Sequence, residues 1–239
     1  MTTMVVTGSI ALLAGAVAAV AGFGIGSLLT PALIPLLGTQ LAVVAVAVPH
    51  AAGTALRLWR LREAIDWRLL RGFGIASAAG GLAGALMHGW LSGPSLTRVF
   101  GALLILSGLA ALIGWTKRVP LPRVPALCAG AVAGLFGGMV GNQGSIRSAA
   151  LLAFRLPPRA FVATATATAM IVDAVRLPVY IAQAGSVIRG NPALVATMTL
   201  GVVAGTLLGD PVLRRIPDRW FSRIVGVLLI ALGFYMLVP

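Results

Sequence analysis

Arg147 is a charged residue inside an apolar run. It lies two positions past Ser145, beside the glycine-broken stretch Val140-Gly141-Asn142-Gln143-Gly144-Ser145. A second such stretch, Val20-Ala21-Gly22-Phe23-Gly24-Ile25-Gly26-Ser27, interrupts the first hydrophobic segment. A helix restarting near Ser27 or Ser145 offers free N–H groups and a partial positive charge, which suits an anion. Glycines let main chain approach a ligand without a Cβ in the way. An arginine beside such an N-terminus can hold an oxyanion through two parallel N–H donors. The expected anion-binding set is therefore Gly22, Phe23, Gly24, Gly26 and Ser27 with Gly141, Asn142, Gln143, Gly144, Ser145 and Arg147.

Three further residues are candidates for gating or coupling. Of the five acidic residues, only Asp173 lies well inside an apolar run, and Arg176, three positions on, shares its helical face. Both a simple ion pair and an ion relay fit that spacing. His50 follows Pro49 in mid-segment, where proline can kink a helix and histidine can take up protons. His88 is expected at a membrane interface. Of Thr164, Thr166 and Thr168, one or two can line a cavity, and the others can bond their own backbone. The chain lacks a phosphate-binding Gly-rich loop ending in Lys-Ser/Thr, metal-ligand spacing of Cys and His, and a nucleophile elbow. We therefore expect no enzyme, no cofactor and no metal.

The elements that hold these residues are membrane helices. Of 239 residues, 59% are hydrophobic and 10% charged, and mean hydropathy is +1.02. Soluble domains carry about 25% charged residues, so the solvent here is lipid. The net charge of +13 does not indicate nucleic acid, because the basic residues punctuate the apolar runs instead of forming one patch. Cys128 stands alone and is expected as a small buried hydrophobe. The N-terminus lacks the basic region of a cleaved signal and is expected to stay in the mature protein.

Apolar segments fall at 4–21, 28–37, 41–58, 69–91, 97–116, 124–140, 145–154, 160–182, 192–209 and 220–238. Basic clusters follow 41–58 (Arg57, Arg60, Arg62, Arg68 and Arg71), then 97–116 (Lys117, Arg118 and Arg123), then 145–154 (Arg155 and Arg159), then 192–209 (Arg214, Arg215, Arg219 and Arg223). Placing all four in the cytoplasm obeys the positive-inside rule. It requires 124–154 to enter the membrane and return. From Gly22 to Gly141 the offset is 119 positions, and the same offset carries Arg57-Leu58 onto Arg176-Leu177. This places Arg176 near the external end of its helix, as the mirror of Arg57. The expected fold is an all-α polytopic membrane protein of two inverted repeats. Each repeat is a glycine-broken re-entrant hairpin plus three transmembrane helices. Repeat 1 is 1–118 (hairpin 4–37; spans 41–58, 69–91 and 97–116). Repeat 2 is 119–239 (hairpin 124–154; spans 160–182, 192–209 and 220–238). Single tilted spans are the competing arrangement. Gly80, Gly84, Gly201 and Gly205 make small-residue packing faces, and the tryptophans sit at span ends as interfacial anchors.

Gly22-Phe23-Gly24-Ile25-Gly26-Ser27-Leu28-Leu29-Thr30-Pro31 resembles the first-repeat signature of the sulfite exporter TauE/SafE family. Ala133-Gly134-Leu135-Phe136-Gly137-Gly138-Met139-Val140-Gly141 is similar to its second-repeat counterpart. The resemblance spans essentially the whole chain in length, repeat layout and helix order. It implies a membrane permease exporting sulfite, sulfoacetate or related sulfur oxyanions. The chain departs from the family's second glycine run at Asn142-Gln143 and adds Arg147, which leaves the anion open. The expected function is a secondary transporter of small anions, with a passive anion channel and a membrane scaffold as rivals. The expected partners are a small anion and the lipid bilayer, without nucleic acid; a coupling proton or cation and a homo-oligomer are left open. The expected location is the cell inner membrane, with both termini external.

Overall fold

A computed structural model describes residues 2–21, 24–91, 93–113, 123–141, 144–152, 154, 156–213 and 218–237. The chain is all helical among them. In order these are α1 (Thr2–Ala21), α2 (Ile25–Leu61), α3 (Trp67–Leu69), α4 (Ile75–His88), α5 (Gly93–Ile113), α6 (Arg123–Val140), α7 (Gly144–Leu152), α8 (Pro158–Ala184), α9 (Ser186–Gly190), α10 (Pro192–Leu213) and α11 (Asp218–Leu237). A π-helical turn, Leu70–Gly74, joins α3 to α4 into one apolar rod. Asp66 starts that rod by accepting the Leu69 N–H on its own side chain at 2.9 Å.

Six of the described helices are long and apolar enough to cross a bilayer. The distribution of side chains is that of a membrane protein. Leu13, Leu86, Ile113, Leu208 and Phe234 face outward, while Thr54, Arg57, His88, Arg147, Asp173 and Arg176 are buried. Lipid accepts the first set, and protein must cover the second. Trp59, Trp67 and Trp90 are exposed near helix ends, where amphipathic rings meet headgroups. Trp115 and Trp220 lie outside the residues whose side chains are described.

Close packing rests on small residues. An added Cβ at Gly84 would lie 2.0 Å from the Leu135 carbonyl oxygen, and one at Gly205 would lie 1.9 Å from that of Leu12. No side chain fits there, so α4 and α6, and α10 and α1, touch backbone to backbone. Residue numbers rise together along each pair: Gly80 meets Ala131 and Gly84 meets Leu135, while Gly201 meets Gly8 and Gly205 meets Leu12. Both pairs are therefore parallel. α5 packs against α11, and α2 against α8.

Several expectations change at this level. α2 runs from 25 to 61 with a bend at Gly38, between the expected segments 28–37 and 41–58, and the kink expected at Pro49 is not there. Gly38 has φ 75 and ψ 161, a conformation that side chains other than glycine's resist, whereas Pro49 stays within regular helix. Cys128 is exposed, because its face of α6 points away from the packed interior. His88 is buried in the last turn of α4, covered by protein and not exposed.

Candidate functional site

Both glycine breaks lie against each other in the interior. Gly24 (φ 132) precedes α2, and Gly141 (φ 75) follows α6. Each positive φ lets the chain leave one helix and begin the next within a few residues. An added Cβ at Gly26 would stand 2.5 Å from the Gly141 carbonyl oxygen and 4.0 Å from Cδ2 of His50. The two breaks thus touch through main chain, beside the His50 ring. Of the expected anion-binding residues, Gly24, Gly26, Ser27 and Gly144 are buried here, and Gly141 is half-buried. Ser145 lies in the first turn of α7. Gly22, Phe23, Asn142 and Gln143 lie outside the described residues.

Arg147 is 3% exposed in that same first turn of α7. Its Nε and Nη1 have no hydrogen-bond partner among the described residues. It lies within electrostatic reach of Arg57, Asp173 and Arg176. A buried guanidinium with unfilled donors is costly unless an acceptor arrives.

Arg57 was not expected here. In the sequence it opens a run of loop arginines; in the fold it is buried, one helical turn before the end of α2. Its Nη1 donates to the Ala18 carbonyl in the last turn of α1. Its Nε is also unpartnered, as is the hydroxyl of Thr54 one turn earlier. The signal that could have found Arg57 was its register with Arg176.

The structure joins the three coupling candidates into one chain of contacts. His50 Nδ1 lies 2.8 Å from Asp173 Oδ2. Arg176 donates to Asp173 Oδ1 from Nε at 2.9 Å and from Nη2 at 2.7 Å. Nη1 of Arg176 donates to the Gly137 carbonyl at 2.7 Å. Arg176 therefore reaches the end of α6, beside the break at Gly141. Two neighbours complete the end of α6: the Tyr180 hydroxyl donates to the Gly138 carbonyl, and His88 Nδ1 lies 2.8 Å from the Met139 carbonyl oxygen. Side chains thus meet three successive carbonyls at this helix end, and that of Gly137 also accepts the Gly141 N–H at 3.1 Å. The cationic cap also complements the negative end of the helix dipole.

The threonines divide their roles. Thr164 accepts the Asp66 N–H at 3.0 Å, Thr168 donates back to the Thr164 carbonyl at 2.8 Å, and the Thr166 hydroxyl is buried with no partner among the described residues. The described residues contain no group of three or more His, Cys, Asp or Glu able to hold a metal.

The buried charges add up unevenly. Among the described residues, the buried Arg57, Arg147 and Arg176 face one buried carboxylate, Asp173, beside a histidine. Excess positive charge with open N–H donors is chemistry that can accept a negative solute.

No curated protein and no solved structure matches the chain. The family model for Sulfite exporter TauE/SafE matches residues 8–236, nearly the whole length. With that coverage, on an all-helical membrane fold whose two glycine breaks meet beside buried arginines, the chain belongs to the sulfite exporter TauE/SafE family.

Proposed function

We propose that the protein is a secondary transporter of small anions, with sulfur oxyanions or organosulfonates such as sulfite or sulfoacetate as the substrate class. The observation that carries this reading is Arg147: buried, charged, in the first turn of the helix that follows the second break, and with Nε and Nη1 unfilled among the described residues. The anion would take those donors together with Nε of Arg57 and main-chain N–H groups at the starts of α2 and α7. Gly24, Gly26, Ser27, Gly141, Gly144 and Ser145 would form the walls, joined by Gly22, Phe23, Asn142 and Gln143.

Transport by alternating access is supported by the internal order of the chain. The Arg57–Ala18 bond and the Arg176–Gly137 bond superimpose under the 119-position offset. The parallel pairing of α1 with α10 answers that of α6 with α4. Such correspondence is what inverted repeats produce, and in transporters of that kind the substrate lies where broken helices of the two halves meet. Contacts near the start of α4 support a hairpin for 124–154: Gly72 lies beside Leu127 of α6, and Asp66 beside Thr164 of α8. In this reading the protein spans the inner membrane with both termini outside. An anion leaving a cell that is negative inside gains about 2.3 kcal/mol per charge per 100 mV.

The test is uptake of sulfite, sulfoacetate and isethionate by proteoliposomes. Wild-type protein is expected to take up at least one of them saturably, and Arg147→Ala to lose that uptake while keeping its melting behaviour in detergent. Equal uptake by wild-type protein and Arg147→Ala would refute the assignment. Flux that never saturates and shows no countertransport would favour a passive channel.

A further inference from the structure

Asp173 divides its two oxygens between two partners. Both Arg176 contacts fall on Oδ1, and His50 Nδ1 meets Oδ2. Both carboxylate oxygens are thereby engaged and the side chain is 1% exposed, whereas the His50 side chain keeps 13% of its surface open. With Nδ1–H donating to Asp173, the lone pair of the imidazole is on Nε2, which can take a proton. The ring also borders the contact between the two breaks, since Cδ2 lies 4.0 Å from the Cβ position of Gly26.

The charged groups facing His50 are Asp173 and Arg176 from α8 and Arg57 from its own helix. Arg147, on α7, acts on the same cluster through Arg57, Asp173 and Arg176. α1 carries no titratable side chain, and neither does α10 along Pro192–Gly209. With His50 neutral the cluster carries three positive charges and one negative. A proton on Nε2 adds one more positive charge and is opposed by the arginines. A bound anion offsets that repulsion. Binding of the two must then be mutually favourable, by reciprocity. The 119-position shift places Thr54 at the register of Asp173 and Ala169 at that of His50, so the pair occurs in one half of the chain only.

We propose that His50, oriented by Asp173, is the proton-binding site of a proton–anion symporter: one proton enters at Nε2 when the anion binds and leaves with it on the other side. This rests on the anion-transport reading above. Asp173 and Arg176 are positioning residues in this scheme. The anion never exchanges a covalent bond, and the proton returns to water.

The experiment uses proteoliposomes containing a trapped pH-sensitive dye and the full-length protein. The probe is isethionate, a strong-acid sulfonate that carries no proton of its own near neutrality. Wild-type uptake is expected to acidify the lumen by one proton per anion. Acidifying the medium is expected to tighten isethionate binding by roughly 5–150-fold, the usual range of coupling between two sites. His50→Asn keeps an amide donor where Nδ1 meets Asp173 and removes the titrating nitrogen. It is expected to move isethionate without protons, now in response to membrane potential. His50→Gln serves as a second variant should the first fail to fold. Isethionate uptake by wild-type protein without acidification would overturn the coupling and leave the anion reading intact. Acidification persisting in a folded His50 variant would overturn the assignment to His50. Absence of isethionate uptake by wild-type protein would overturn the symport of this probe, and absence of uptake for every anion in the panel would overturn the transport reading beneath it.

Discussion

Arg57 and Arg176 each hold the end of the helix that precedes a glycine break. Arg57 donates from Nη1 to the Ala18 carbonyl, and Arg176 from Nη1 to the Gly137 carbonyl. A shift of 119 positions carries both partners of the first bond onto those of the second. The two sites then diverge: Nε and Nη2 of Arg176 rest on Asp173, while Nε of Arg57 is open and the register of Asp173 is filled by Thr54. One half of the chain has neutralised its arginine, and the other has left it available.

That difference predicts the behaviour of Thr54→Asp. A carboxylate three residues before Arg57 would take the open Nε, as Asp173 takes that of Arg176. Anion binding is expected to weaken about tenfold or more, equivalent to about 1.4 kcal/mol, while the melting temperature in detergent holds or rises. Thermal-shift titration with sulfite and isethionate measures both. Unchanged affinity would show that Arg57 takes no part in binding.

Removing the second arginine should act on stability. Arg176→Gln leaves Asp173 buried without its cation, and such losses cost about 3–5 kcal/mol. Tyr180→Phe removes only the donor to the Gly138 carbonyl, for about 0.5–1.5 kcal/mol. Thermal unfolding of the two variants should rank them in that order, with Tyr180→Phe close to wild type.

Two glycine substitutions should fail for different reasons. A Cβ at Gly26 meets the Gly141 carbonyl oxygen at 2.5 Å. Gly26→Ala should force the breaks apart and abolish anion uptake, with overpacking of about 1–3 kcal/mol. At Gly38 nothing lies within 4 Å, but φ is 75. Gly38→Ala should lower stability by about 1–3 kcal/mol through backbone strain and leave anion affinity near wild type in whatever protein folds.

Much of this was legible in the sequence because glycine clusters inside apolar runs are hard to place anywhere except a break. The position of Arg147, two residues past such a cluster, was equally informative. Arg57 was misread because it precedes Arg60 and Arg62, and only the helical turn decides that the first faces inward and the others outward. The contact of His50 with Asp173 joins residues 123 positions apart; periodicity along one helix carries no information about which face a distant helix presents. His88 looked interfacial from its place near a span end, yet α6 brings the Met139 carbonyl to it. The bend at Gly38 falls in the gap between the apolar segments 28–37 and 41–58, whereas the proline at Pro49, a conspicuous helix breaker, causes none.

The contacts at the start of α4 predict which positions share a membrane face. In a Cys128→Ser background, Glu63→Cys and Arg159→Cys should react with an impermeant thiol reagent from the same face. Ser186→Cys and Thr2→Cys should react from the other. Labelling of the Glu63 and Arg159 positions from opposite faces would replace the hairpin at 124–154 with a single crossing.

The most direct measurement is a crystal structure with selenite, the selenium analogue of sulfite, located by its anomalous scattering. The account predicts one buried peak within hydrogen-bonding distance of Nε and Nη1 of Arg147, between the Gly24–Ser27 and Gly141–Ser145 stretches and within reach of Nε of Arg57. A saturating soak that leaves this place empty, or puts the selenium only at the protein surface, would contradict it.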